Sequence, residues 1–312
     1  MLTYLARRVA LSVVVLCGLL VATFVIVHLV PGDPVEQLLG SRATPQAIAA
    51  ARKQVGLDQP LLQQFLSFAG GALRGDFGRS IPLNAPVSSV IGPRLLPSAL
   101  LIAYGLALAL LIGVPLAVVA AVRPNRGADN VIRLATTFAF AMPTFWLGLM
   151  LALVLGLELG WFPVSGYDRS VSGFFRTLTL PALTIGLSLA VVVVRTLRSS
   201  LLEVLQSEYV EAARSRGLSE VRIVGKHAMR NAVTGTITIL SVNVGFLIGG
   251  TVVIEAVYQI PGAGSLLVQA VQRRDYELIQ VLALLAGTAV VVVGLLADLL
   301  QAVLDPRVRL SR

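Results

Sequence analysis

Two histidines, His28 and His227, are the only imidazoles in the chain, and they lie in distant regions. The single cysteine, Cys17, falls inside an apolar run, where it reads as a small packing residue without a disulfide or cluster partner. There is no HExxH, no Cys/His cluster and no GxSxG, so metal-assisted hydrolysis and serine acyl transfer lack their parts. GLSEVRIVGKH (Gly217–His227) superficially matches a phosphate loop. Glu220 stands where the first glycine is required, however, and His227 rather than Ser or Thr follows Lys226. The expectation is a chain with no catalytic site, no metal and no nucleotide or other cofactor of its own.

The elements that would have to position any chemistry are apolar. Of the residues, 56% are hydrophobic and only 13% charged, with mean hydropathy +0.85. Soluble domains carry about 25% charged residues, so this is a multi-spanning, all-α membrane protein. Six runs are long enough for a core about 30 Å thick: Val9–Val30, Ser98–Val122, Leu134–Leu157, Thr179–Val194, Val233–Ile254 and Leu278–Leu304. The first follows Arg7 and Arg8 like a signal peptide. It is too long for one and lacks a cleavage site, so it reads as a retained helix. The fourth is expected to continue past Arg195, whose side chain can snorkel. Pro143 should kink the third. In the fifth, Gly245 and Gly249 form a small-xxx-small face that suits close helix packing or, with Ser241 and Asn243 nearby, a face that slides or lines a pathway.

The net charge of +9 does not point to nucleic acid, because the bases sit between apolar runs rather than on a polar domain. With the N-terminus inside, the inner segments (1–8, 123–133, 195–232, 305–312) hold 15 bases in 65 positions. The outer segments (31–97, 158–178, 255–277) hold 10 in 111. Both termini and 195–232 therefore read as cytoplasmic. Ionisable residues in the cores of runs one to five are scarce, which argues against a proton relay. Asp298 and Glu255, near the ends of runs six and five, read as boundary acids with basic partners. The organisation expected is 1–97, a first span with an outer helical segment, and 98–312, a five-helix core. In the outer segment Ala47, Ala50, Ala51 and Val55, then LLQQFLSFAGGAL, have helical spacing.

One polar stretch stands out: EYVEAARSRGLSEVRIVGKHAMRNAV, Glu208–Val233. Nothing in 195–232 breaks a helix before Gly217, and Ala212 and Ala213 offer a shallow patch where a partner fits closely. Gly217 suits a left-handed C′ position, and Ser219 suits the N-cap of a second helix with Glu220 in its first turn. The product is a helix, a sharp turn and a helix between two spans. A solvated loop accounts for the charge but not for the alanine patch beside a fixed turn.

EAARSRG (Glu211–Gly217) resembles the EAA-xxx-G signature by which permease subunits of ABC importers engage their ATPases. The general pattern continues with Ile-x-Leu-Pro; here His227-Ala228-Met229-Arg230-Asn231 stands instead, and HAMRNA is similar to the dipeptide/oligopeptide (peptide/nickel) branch. PGDP (Pro31–Pro34), GDFGRS (Gly75–Ser80), RSSLLEVL (Arg198–Leu205), PGAGSLLVQAVQRRDYELIQ (Pro261–Gln280) and DPRVR (Asp305–Arg309) agree in order along nearly the whole chain.

This resemblance implies a type I ABC importer permease in a bacterial cytoplasmic membrane. It would move di- or oligopeptides with a homologous second permease, two cytoplasmic ATPase subunits that bind ATP, and an extracytoplasmic binding protein. Glu211, Ala212, Ala213 and Gly217, with His227, Arg230 and Asn231, would form the ATPase-coupling loop. Ser241, Asn243, Gly249 and Glu255 are candidates to line the pathway. Pro261, Gly262, Arg273, Arg274, Asp275 and Tyr276 would face the binding protein. Alternatives are the same architecture carrying a nickel chelate or glutathione, an intramembrane enzyme, which would act without partners, and a structural scaffold, which leaves the polar stretch unexplained.

Overall fold

Runs this long and apolar can cross a bilayer only as helices, because each backbone N–H and C=O must be paired within its own segment. The computed structural model describes residues 2–29 and 58–304, with positions 44, 46, 49, 52 and 53 between them. PGDP, DPRVR and the helical spacing read at Ala47, Ala50, Ala51 and Val55 lie outside the described residues. In chain order come α1 (Leu2–Leu29), α2 (Leu61–Arg74), strands β1 (Arg79–Ser80) and β2 (Ala85–Pro86), α3 (Val87–Val122) and α4 (Gly127–Ala141). Next are α5 (Thr144–Leu151) with a π-helical extension Ala152–Glu158, α6 (Val171–Leu205) and α7 (Glu208–Ser215). A short α8 (Glu220–Arg222) passes through a π-helical turn, Ile223–Ala228, into α9 (Met229–Val257), and α10 (Ala263–Arg273) and α11 (Tyr276–Leu304) follow.

Among the described residues, five helical segments are long and apolar enough to cross a membrane: α1, α3, α6, the α8–α9 rod and α11. The third expected run is a broken span: α4 and the α5 segment meet at 104°. The cause is local. Met142, preceding Pro143, is driven to extended backbone (φ −82°, ψ 128°), so the expected kink becomes a full break. α6 does run past Arg195, to Leu205. The division expected at 97/98 falls within α3. β1 and β2 pair antiparallel, a two-residue hairpin that the run-based reading did not contain.

The central seam is α3 against α6. Gly105 and Gly113 lie where a Cβ would overlap Ile185 or come within 2.9 Å of Val193, and across the seam a Cβ on Gly186 would come within 2.9 Å of the Leu108 Cβ. Small residues at every fourth position let the two backbones approach, which supplies dispersion contact where lipid offers no hydrophobic driving force. The small-residue face read in the fifth run is used only in part. Gly245 packs near Val290 of α11, whereas Gly249 faces open space. Cys17 is exposed on α1 rather than packed inside the bundle.

The two ends of the bundle collect different segments. At one end Ala117, Ala121, Leu197, Leu201, Ala228 and Ala232 cluster. There Arg8 pairs with Asp298 at 3.1 Å, supplying the partner expected for that acid. At the other end Val87, Ile91, Leu266, Ala270, Leu278 and Val281 cluster, and Phe24 and His28 of α1 meet Phe65 and Gln64 of α2. Among the described residues, segments that the basic residues assign to one side of the membrane thus share one end of the molecule.

Candidate functional site

The polar stretch folds as a hairpin at the Arg8–Asp298 end, between α6 and α9. The uninterrupted helix expected before Gly217 is not formed: α6 stops at Leu205 and α7 starts at Glu208. The Gln206 and Ser207 amides turn back to the Glu203 and Val204 carbonyls, and the Ser207 hydroxyl also bonds to Val204 O. Such local hydroxyl-to-carbonyl bonding competes with helix continuation, and α7 starts as a separate helix at Glu208.

α7 is braced from beneath. Val210 and Ala213 pack on Ile223, the first two fully or nearly buried and Ile223 fully so, with Leu205 and Leu218 at the edge. Gly217 sits at φ +76°, the left-handed conformation expected for it, and its N–H donates to Arg214 O at 2.9 Å. Leu218 N–H donates to Ala213 O at 3.3 Å, so two carbonyls at the α7 terminus are satisfied through the turn. Ser219 has extended N-cap backbone, but no hydroxyl cap bond accompanies it. Arg214 instead forks onto Glu220, Nε to Oε1 at 2.8 Å, and this hydrogen bond raises the Arg214 pKa further. The pair is roughly half exposed (45% and 56%), so it orients the turn more than it stabilises the fold.

The coupling candidates separate by direction. Glu211, Ala212 and Gly217 are exposed, whereas Ala213 is buried, so the alanine pair is not one patch. The outward surface is a carboxylate and a methyl group, with Val221, 85% exposed, beyond the turn. Asn231 is exposed and donates through Nδ2 to the Tyr209 hydroxyl at 2.8 Å, tying α9 to α7. Arg230 is exposed and His227 half-buried, the latter within the π-helical turn.

In α9 the Ser241 hydroxyl and the Asn243 amide donate to Thr238 O and Ile239 O of their own helix, each at 2.8 Å. Gly249 is exposed beside Phe246, which is 79% exposed. Glu255 is elsewhere. It is fully buried, accepts from Ser98 Oγ at 2.5 Å and Ser265 N–H at 2.7 Å, and sits against Gly262 and Gly264. Its carboxylate has no open face and, among the described residues, no ion pair of the kind expected for it; hydroxyl and amide donors contact it directly, and the Arg94 charge acts on it only at longer range. Of the six residues expected to face a binding protein, Arg273 and Arg274 are exposed and Pro261 half-exposed, whereas Gly262, Asp275 and Tyr276 are buried. Asp275 accepts from the Ser80 hydroxyl and, at 3.2 Å, from Leu278 N–H, so it ties β1 to the start of α11.

Long-range polar pairs escaped the sequence reading. Asp129 with Arg198, and Ser98 with Glu255, are separated by 69 and 157 residues, and no spacing rule reaches that far. Isolated ionisable residues at the ends of apolar runs were the available signal. Among the described residues no three His, Cys, Asp or Glu side chains come together in a metal-binding group.

Residues 113–310 match the family described as binding-protein-dependent transport system inner membrane component, and residues 1–89 match the N-terminal region of such membrane components. The glutathione transport system permease protein GsiC of Salmonella choleraesuis (strain SC-B67) is 38% identical over 309 residues, 99% of each chain. GsiC of Escherichia coli (strain K12) is 37% identical over the same coverage. Among solved structures, the MetNI methionine ABC transporter in an inward-facing conformation aligns with TM-score 0.58 and 17% identity, covering 69% of this chain and 96% of that one. A second crystal form aligns with TM-score 0.52 and 18% identity, over 67% of this chain and 93% of that one.

Proposed function

This chain belongs to the family of binding-protein-dependent transport system inner membrane components, and on that premise we propose that it imports short peptides, glutathione among them. It is an ABC importer permease of a bacterial inner membrane, a transport subunit rather than an enzyme. Membership of this family implies ATPase and binding-protein partners. The observation that carries the cargo proposal is the end-to-end identity to glutathione permeases. Glutathione is itself a tripeptide, so this reading and the peptide reading of HAMRNA and QRRDYELIQ share one ligand chemistry.

In the proposed cycle both termini and the α7–α8 hairpin are cytoplasmic, and ATP binds to the partner subunits. Closure of the ATPase pair pushes on Glu211, Ala212 and Val221. α6 and α9 carry that movement into the span region, where a second, homologous permease completes the pathway. Arg273 and Arg274, exposed at the opposite end, face the binding protein.

The test is uptake by the complex purified with its own partners and reconstituted in proteoliposomes, offered labelled glutathione, trialanine and nickel in parallel. ATP-dependent accumulation of glutathione or trialanine supports the proposal. Accumulation of nickel with neither peptide would move the cargo to the metal-chelate branch.

A further inference from the structure

We propose that Arg198 and Asp129 form a positioning clamp that fixes α4 to α6 in one register, so that movement of the hairpin reaches the broken span. Arg198 meets Asp129 with both arms of its guanidinium, Nε to Oδ1 and Nη2 to Oδ2, each at 2.7 Å. Asp129 is fully buried and accepts a further bond from Asn125 N–H at 2.8 Å. One turn earlier on α6, Arg195 donates to Thr137 Oγ1 at 3.2 Å and lies 4.6 Å above the Phe140 ring. Two guanidiniums on one side of α6 therefore hold α4 at both its start and its end. Between them Ile132 packs against Ala120 and Val194.

Apolar contact alone would hold the helices together but would let them slide or rotate. A planar fork on a carboxylate does neither, because both hydrogen bonds fail together when the angle changes. An ion pair with a buried carboxylate is poor evidence for added stability and better evidence for a specified arrangement. The location gives that arrangement a use. α6 continues from Arg198 to Leu205 and, through Gln206 and Ser207, directly into α7 with its exposed Glu211. On the far side of α4 the chain breaks by 104°. A displacement of α7 thus has one continuous helix leading to the clamp, and α4 is the element it would carry.

The inference rests on the hairpin being the ATPase docking site, and the test separates the two. The assembled complex is reconstituted with Arg198→Lys, which keeps the charge and loses the fork, and with Asp129→Asn. ATPase co-purification, thermal stability, ATP hydrolysis stimulated by the liganded binding protein, and glutathione or trialanine uptake are then measured together. The clamp predicts near-normal co-purification and stability in Arg198→Lys, with a several-fold loss of uptake per ATP hydrolysed. An unchanged ratio overturns it, whether activity is fully retained or falls in step with assembly and stability. If Asp129→Asn fails to assemble, Arg198→Lys alone decides. Normal co-purification of Glu211→Lys would instead count against docking at the hairpin.

Discussion

The Ser98 hydroxyl donates to Glu255 Oε1 at 2.5 Å and accepts from Ala263 N–H at 2.8 Å, so one buried carboxylate joins α3, the end of α9 and the start of α10. Its other oxygen takes Ser265 N–H at 2.7 Å in the first turn of α10, where amides lack intrahelical acceptors. Gly262 and Gly264 make the space: a Cβ at Gly262 would fall on the carboxylate, and one at Gly264 would come within 2.7 Å of the Val252 backbone. The PGAG segment is thus a turn shaped around a side chain six or more positions before it.

Glu255→Ala should therefore destabilise this end of the bundle. The Ser265 N–H loses its acceptor and Ser98 keeps only a long bond to the Arg94 carbonyl; a buried donor left unpaired costs about 1–3 kcal/mol. Glu255→Gln should be milder, since its carbonyl can still serve Ser98. Thermal unfolding of the purified complex checks the order, wild type above Gln above Ala; equal midpoints would mean the network contributes little.

Close packing of α3 on α6 makes Gly113 intolerant of volume. Gly113→Leu must displace Val193 or separate the helices, and overpacking of this kind costs about 1–3 kcal/mol. The expected result is lower membrane yield and early aggregation by size exclusion. Gly249→Leu faces open space in the chain itself and should leave its own fold intact.

Gly217→Val places a β-branched residue at φ +76°, where strain amounts to about 1–3 kcal/mol. The chain should insert normally yet lose ATPase co-purification and most transport. Gly217→Asn, which tolerates left-handed backbone better, should retain more of both. Glu211→Lys reverses an exposed charge without straining the turn, so a compensating change on the ATPase should restore docking. Wild-type transport in Gly217→Val at matched protein level would show that the turn can rearrange freely.

Topology can be read with an impermeant thiol reagent in a Cys17→Ser background. Ser172 and Ser219 are both exposed and belong to segments assigned to opposite sides. Cysteine at 172 should label in intact cells and cysteine at 219 only after permeabilisation. Labelling of 219 from outside would reverse the orientation.

Much of this protein was determined locally along the chain. Apolar run length marked the spans, because a bilayer core of given thickness needs about 20 residues of helix. The density of Lys and Arg sorted the connecting segments, and the structure groups the described parts of them at the same two ends. Gly217 announced its turn because a left-handed position strongly favours glycine. What the tertiary structure decided was direction and partnership. Ala213 turned inward and Ala212 outward because an α-helix rotates about 100° per residue and Ile223 occupies one side. Glu255 became a buried acceptor for Ser98 rather than a boundary charge, and Asp129 a buried acceptor for Arg198. Desolvation makes a buried carboxylate costly unless donors converge on it, and which distant donors converge is settled only when the helices pack.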